Sequence, residues 1–457
     1  MNDSASDPWS AWLVRSLGRP ISLDDRVRAA LHLLDWMGCA HLGSTSEMGR
    51  VLDQWSGMRA SGTSWACGSN RGLPAAEATF WNGCLGSCHE MDDVHREAVV
   101  HPGDIVIPAA LAVAQRENVE ASALLDAIVV GYETAILLGL LADKGHYAHW
   151  YTTATAGVFG SAMATSRLLG LNTLQMQNAL GLAGMQSSGV WQCRLEAGLA
   201  KQLATGHSAQ AGLLAADLAA AGMTGPLAIL EGALGWLKAT SGNCDEPRAR
   251  SLLQVTDDAP WRLHEVSFKP WSACRHVHPA IECALKLHAM GCAARDITQI
   301  ALDTYSVALS FAHQRHPKTS HEAKFSLEHA VAWSLVHGSF GLEATAPANL
   351  NDPACSALRA RVSLHVGAEQ EAVYPRSFGA CLRVLTKGSK AMTTEVVHVL
   401  GDPENPLSPG QLETKAIDLL LASGWARPRA EALVSVCRSL PYEKTLDSLW
   451  TCLAEKH

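Results

Sequence analysis

The sequence has no G-x-G-x-x-G after a strand pattern, no G-x-x-x-x-G-K-[ST] and no G-x-S-x-G. These are the loops that cradle dinucleotides and nucleotides or present a hydrolase serine, so those three chemistries have no anchor here. Thirteen cysteines are scattered along 457 residues without a C-x-x-C pair. That spacing excludes zinc ribbons and thioredoxin chemistry, and the odd count argues against a disulfide framework, so a reducing, cytoplasmic setting is expected. Charge is sparse at 18% of residues, with 36 basic against 44 acidic and a net of -8. No Lys/Arg run offsets this balance, so neither a nucleic acid nor a membrane is expected as a partner. Residues 1–12 are polar and acidic, lacking the basic and apolar regions of a signal peptide. The most apolar stretch, 124–142, is interrupted by Asp126 and Glu133 and reads as a buried helix rather than a membrane span.

What is present is material for large cores: 48% of residues are hydrophobic, and the length suits two or three domains. Over 22–41 the signals of a helix are complete, with Ser22 and Asp25 placed as a capping box and Val27, Ala30, Leu31, Leu34 and Met37 at helical spacing. The same pattern recurs over 74–85, 105–116, 121–141, 154–169, 174–187 and 201–221, each stretch closed by Gly, Asn or Pro. Runs of Ala, Gly and Ser in the 154–169 and 201–221 segments predict closely packed central helices. The texture changes at 257–270. A helix is predicted at 279–290, strands at 300–308 and 361–366, and a hairpin of 380–386 and 393–400 around Lys387-Gly388-Ser389-Lys390. Helical patterns resume at 411–423, 428–439 and 444–453. The expected architecture is mostly α: a helical domain over 1–266, an α+β lid over 267–400, and C-terminal helices over 401–457 that return to the first domain.

Four clusters carry candidate chemistry. His89-Glu90-Met91-Asp92-Asp93-Val94-His95-Arg96, followed by His101-Pro102-Gly103-Asp104, offers carboxylates and imidazoles for acid–base work and a guanidinium for an anion. Its spacing lacks a fixed helical pair of metal ligands, so no metal is expected there, and a solvated polar loop is the plain alternative. Lys144 to Thr153, with His146 and Tyr151, precedes an Ala/Gly-rich helix and could bind an anion or merely cap that helix. Lys201 heads an apolar helix, near His207; it either reaches water or meets a carboxylate. Lys269-Pro270-Trp271-Ser272-Ala273-Cys274-Arg275-His276-Val277-His278-Pro279 lies at the predicted domain boundary, where ligand clefts are common. For His276 and His278 a polar turn is the simpler reading than a metal.

Taken in order, these motifs resemble the MmgE/PrpD family. The carriers include Asn82-Gly83 with the acidic motif, His101-Pro102-Gly103, Gly131-Tyr132-Glu133, Gly145-His146-Tyr147, Lys201 with Gly206-His207-Ser208-Ala209, and Leu230-Glu231-Gly232. Lys269-Pro270-Trp271, Glu322-Ala323-Lys324-Phe325-Ser326-Leu327 and Gly401-Asp402-Pro403-Glu404-Asn405-Pro406-Leu407 continue it, so the likeness covers nearly the whole chain. The resemblance implies a homodimer that needs no organic cofactor or metal and acts on small di- and tricarboxylates by moving a proton next to a carboxylate. It places Asp92, His101, Lys201 and Lys269 among the catalytic residues, and Asp93, His95, Arg96, His146 and Arg275 as substrate-binding. Tyr151, Cys274 and His329 stand where members often carry histidine, histidine and tyrosine, and Ala204 replaces a further histidine. A phenol is a better acid than base at neutral pH, and Cys274 reads as a thiolate near Lys269 and Arg275 or as a small buried filler. The leading expectation is a lyase, in the hydro-lyase sense, in which Tyr151 or His329 protonates a leaving hydroxyl. An epimerase or isomerase, and a lapsed paralogue that only binds ligands, are the alternatives.

Overall fold

The computed structural model describes residues 7–196, 198–242 and 245–454; of the polar N-terminal stretch read above, residues 1–6 lie outside it, as does the side chain of Lys144. Helix takes 59% of the described residues and strand 8%, so the protein is mostly helical. The chain divides into two compact units: residues 1–88, 92–266 and 408–457 form one, residues 89–91 and 267–407 the other.

In the first unit the named elements are helices. Leu23–Ser44 starts from the capping box read in the sequence, Ser22 accepting from Asp25 N–H while Asp25 accepts from Ser22. Ala121–Leu141 is buried along nearly its whole length in this unit's core, and its two carboxylates are paired. Glu133 takes a buried ion pair from Arg19 at 2.8 Å and the Arg262 N–H at 2.7 Å, and Asp126 takes Arg26 at 2.7 Å. The small-residue helices Thr152–Leu168 and Ala200–Ala220 approach closely enough for Ser161 Oγ to donate to the Ala209 carbonyl across 2.6 Å. Gly206 makes the same point on another side, because a Cβ there would fall 2.3 Å from Cys84 Sγ and 2.6 Å from the Phe80 carbonyl. The late helix Pro409–Ala422 joins this unit, Lys415 Nζ meeting Asp35 at 2.6 Å with both side chains buried. Trp9–Ser16, from a segment read as merely polar and acidic, is a helix with its tryptophans and Leu13 in the core.

The second unit packs helix His278–Ala289 against a four-stranded sheet ordered β2-β1-β3-β4, with β1 Ile297–Thr304, β2 Val362–Val366, β3 Ala380–Thr386 and β4 Ala391–Val396, and helix Leu327–His337 packs on that helix. Strand β1 runs parallel to β2 and antiparallel to β3. The hairpin expected around Lys387 to Lys390 is present, with Gly388 and Ser389 both at positive φ, but β4 starts at 391 and ends at 396. The strand expected over 300–308 stops at Thr304, and Ser306–Ala312 is a helix. Its cap is remote: Ser306 donates its N–H to Glu371 Oε2 at 2.7 Å and its hydroxyl to Oε1 at 2.8 Å. The turn at Gly401 and Asp402 belongs to this unit, Phe268 N–H donating to the Gly401 carbonyl (3.0 Å) and Ser267 to Asp402 (2.7 Å). The unit therefore runs to 407 rather than ending at 400.

Candidate active site

Asp93 organises one side of the acidic motif. Its Oδ2 accepts from the Tyr132 hydroxyl and from His32 Nδ1, each at 2.7 Å, and its Oδ1 accepts from Gly103 N–H at 3.1 Å. Gly103 opens the helix Gly103–Glu117, so the carboxylate also faces the positive end of a helix. A Cβ at Gly103 would sit 2.9 Å from both Asp93 Oδ1 and the Tyr132 oxygen, which is why glycine is needed there. Burial pushes the His32 ring down to about 4, against the pull of Asp93, so it is a neutral donor. Asp93 thus directs its oxygens to protein donors and acts as an anchor.

Its neighbour is placed differently. His101 Nδ1 lies 2.8 Å from the Asp93 carbonyl oxygen and 2.7 Å from Asp92 Oδ2. The single Nδ1 hydrogen is aligned with the carbonyl, and the buried Asp92 carboxylate stands beside it as a charge contact. Both neighbours of Nδ1 are acceptors, so that nitrogen carries the hydrogen and Nε2 keeps the exchangeable site. Nε2 has no partner among the described residues, and the ring is 14% exposed. The loop that delivers it is strained. His95 and Val100 form an antiparallel bridge, and Val99 between them has φ 51, a conformation costly for a β-branched residue.

The Thr-rich segment adjoins this pair, His101 N–H donating to Thr153 Oγ1 at 3.2 Å. Tyr151 is the N-cap residue of Thr152–Leu168. Its buried ring stacks on Trp191 at 4.5 Å, with Lys201 Nζ 6.0 Å from the ring centre. Burial raises its phenol well above the ordinary value, partly opposed by Lys201 and reinforced by the Asp92 charge, so Tyr151 is a proton-bearing donor. Lys201 is half-buried at the start of its helix, while His207 one face away is exposed.

Other residues singled out from the sequence are held by their own units. His95 receives Ala98 N–H at Nδ1 (3.1 Å) and meets Glu265 through Nε2 (3.1 Å). His146 is fully buried, shares a hydrogen bond of 2.7 Å between Nε2 and the Thr155 hydroxyl, and is pushed down to about 4 by burial, so it brings no positive charge to an anion. Arg96 is buried in the same loop. In the second unit, Lys269 is fully buried with Nζ 3.7 Å from Glu90, whose φ of 55 is also left-handed. Cys274 is buried and donates its N–H to the Lys324 carbonyl at 3.0 Å. Arg275 pairs with Asp402 and with His278 Nδ1. His278 Nε2 meets the Ala273 carbonyl and His276 Nδ1 the Tyr305 hydroxyl, the polar turn rather than the metal pair. His329 meets the Ala344 carbonyl through Nε2 (2.7 Å) and Arg359 through Nδ1 (3.3 Å), and burial pushes it down to about 4. With both nitrogens committed, His329 is a poor proton donor to a ligand.

Sequence reasoning missed the partners of Asp93. His32 looked like one more residue of an amphipathic helix, and Tyr132 was noticed only within its motif; nothing local in either signals a contact 61 or 39 residues away.

The MmgE/PrpD N-terminal domain model matches residues 19–247 and the MmgE/PrpD C-terminal domain model residues 271–436. The chain belongs to the MmgE/PrpD family. Within that family it is similar to a cis-aconitate decarboxylase of Aspergillus terreus, 28% identical over 275 residues, 57% of this chain and 55% of that protein. Human cis-aconitate decarboxylase is 27% identical over 361 residues, 75% of this chain and 73% of the human one. The mouse protein of the same name is 26% identical over 434 residues, 90% and 86% of the two chains. The match spans about half the length of the Aspergillus relative. Asp92, His101, Tyr151 and Lys201 all fall inside the N-terminal match.

Proposed function

We propose that this MmgE/PrpD protein is a lyase of small tricarboxylates, with decarboxylation of cis-aconitate the first reaction to test. The observation that carries the proposal is His101, held through Nδ1 between the Asp93 carbonyl and Asp92 with Nε2 left for a ligand. The relatives' names supply the substrate class. In the proposed step the C–C bond to the methylene-borne carboxylate breaks and carbon dioxide leaves. The electron pair shifts through the double bond to the carbon next to another carboxylate. That carbon takes one proton from the His101 imidazolium Nε2–H, giving a vinylidene dicarboxylate. Lys201 holds a substrate carboxylate while charge moves, and Asp92 stabilises the imidazolium before transfer. By the family resemblance Lys269 is the second carboxylate partner. No step is routed through a cofactor.

Tyr151 favours a second lyase reading. A phenol kept protonated where relatives of the family often have imidazole suits protonation of a leaving hydroxide, hence dehydration of a hydroxy-tricarboxylate. Epimerisation and ligand binding without turnover draw no support from the named relatives.

The test is proton NMR in deuterium oxide with cis-aconitate, citrate and 2-methylcitrate supplied separately. Decarboxylation gives two vinylidene proton signals and one deuterium in the new methylene; dehydration gives a vinyl signal from citrate with no carbon dioxide. His101→Asn keeps a donor at the Nδ1 position but lacks Nε2, and is expected to lower kcat by about 10²–10⁴. Undiminished turnover in that variant sinks the mechanism, and a Lys269→Ala variant with unchanged KM removes Lys269 from it.

A further inference from the structure

The second unit carries a donor group that the proposed chemistry does not use. Helix Leu327–His337 ends at His337, and Asp352 is the N-cap of Pro353–Arg359, which contains Cys355. One ligand atom from each of His337, Asp352 and Cys355 lies within 4.8 Å of the other two, and His337 Nε2 is 3.8 Å from Asp352 Oδ2. The neighbours fix their directions. Cys355 N–H donates to Asp352 Oδ1 at 2.7 Å, which leaves Oδ2 toward the imidazole. Trp333 packs on the His337 ring with centroids 4.0 Å apart, and Gly338 at φ 68 ends the helix directly after it. The thiol is fully buried while the His337 and Asp352 side chains are 35% and 28% exposed, so the group opens to water on its nitrogen and oxygen side.

Around a tetrahedral ion with bonds of about 2.0–2.3 Å, ligand atoms stand roughly 3.3–3.8 Å apart; the imidazole–carboxylate separation of 3.8 Å meets this, and the sulfur lies within 4.8 Å of both. Imidazole, carboxylate and thiolate together suit zinc, whereas magnesium and calcium require oxygen donors. We propose that His337 Nε2, Asp352 Oδ2 and Cys355 Sγ form a binding site for a zinc-type divalent cation, with water completing the coordination. On binding, the Cys355 S–H bond breaks, its proton goes to solvent, and the thiolate pair forms the sulfur–metal bond; the neutral imidazole and the carboxylate donate lone pairs. Because thiolate ligation releases a proton, affinity must rise with pH. The ion would clip residue 337 to residue 355 and close the intervening segment. That segment includes the turn Leu342–Thr345, whose Ala344 carbonyl holds His329.

The experiment uses the full chain dialysed against a chelator and titrated with cobalt(II), then zinc. One equivalent of cobalt should bind with a thiolate-to-metal charge-transfer band that zinc abolishes, and zinc should raise the Tm. Cys355→Ser should lose the band. His337→Ala and Asp352→Asn, the latter keeping the helix cap, should bind more than about 100-fold more weakly, beyond the 10–100-fold typical of outer-shell changes. Absence of the band at millimolar cobalt overturns the proposal. So does a band or affinity that persists in all three variants, which would assign the metal to other cysteines.

Discussion

Acidification should destabilise both units, by an amount set by histidines buried neutral. His32, His146 and His329 are each pushed by burial from about 6.5 down to about 4. A folded-state value below the unfolded one means that the unfolded chain binds the extra proton, so stability is full above about pH 6.5 and falls as the pH drops toward 4. Asp35 works the other way: burial raises it to about 6 despite Lys415, so the folded state binds more protons between about pH 6 and 3.8. In the first unit two histidines against one aspartate leave a net uptake of one proton on unfolding; in the second, His329 alone gives one. Each unit therefore loses up to about 1.4 kcal/mol per pH unit, or about 2.2 kcal/mol from pH 6 to 4 once partial protonation at both ends is counted. Set against typical totals of about 5–15 kcal/mol, the loss is large, and the figure does not depend on the units unfolding together. Below this range the lowered carboxyl of Asp352, held by the Cys355 N–H, adds to the loss in the second unit.

Urea unfolding followed by circular dichroism at pH 7, 6, 5 and 4.5 measures the slope. His146→Gln, whose amide can donate to or accept from Thr155, should flatten the dependence of the first unit and leave the second as it was. Midpoints that hold constant from pH 7 to 4.5, or rise, refute the argument that burial governs these rings.

Two further outcomes are expected. Val99→Gly removes a left-handed β-branched residue and should raise stability by about 1 kcal/mol, relieved strain of about 1–3 kcal/mol being partly offset by backbone entropy, as read from the Tm or urea midpoint; a loss would show that the loop is unstrained. We also propose a homodimer, because the first unit leaves several large apolar side chains exposed, among them Met185, Val190, Leu195 and Leu203, with Leu234 at 97%. Light scattering should give twice the chain mass, and Leu234→Glu should shift it toward the monomer; a monomeric wild type at micromolar concentration rejects this.

The legible parts of the fold were those written locally. Ser22 with Asp25 and the apolar spacing after them fix a helix start within a few residues of chain, and Ala121–Leu141 emerged with the bounds that its periodicity gave. The illegible parts depend on distant partners. Val307, Ala308 and Leu309 prolong the apolar pattern of β1, yet Glu371 caps Ser306 across 65 residues and turns them into a helix. The hairpin strand β4 was misplaced for a related reason: its end at Val396 follows from pairing with Ala380, a register that composition alone does not set.

The site shows the same division between what a residue type can do and what its surroundings allow. Asp92 and Asp93 are adjacent and chemically identical, so sequence gave no ground for separating them. The fold does: Asp93 has its oxygens filled by Tyr132, His32 and Gly103, while Asp92 lies against the ring of His101. Of the histidines picked out as reactive, His95, His146 and His329 use ring nitrogens on carbonyl, hydroxyl, carboxylate, guanidinium or amide groups of their own unit. His101 and His146 each have one nitrogen pinned and the other without a partner, but His146 is sealed in the core and pushed down to about 4, whereas the His101 ring is 14% exposed. An imidazole must be held firmly through one nitrogen to aim the other, and must leave that other nitrogen unspent to exchange a proton. Those two conditions together with access from outside, rather than the density of polar residues in the motif, single out His101.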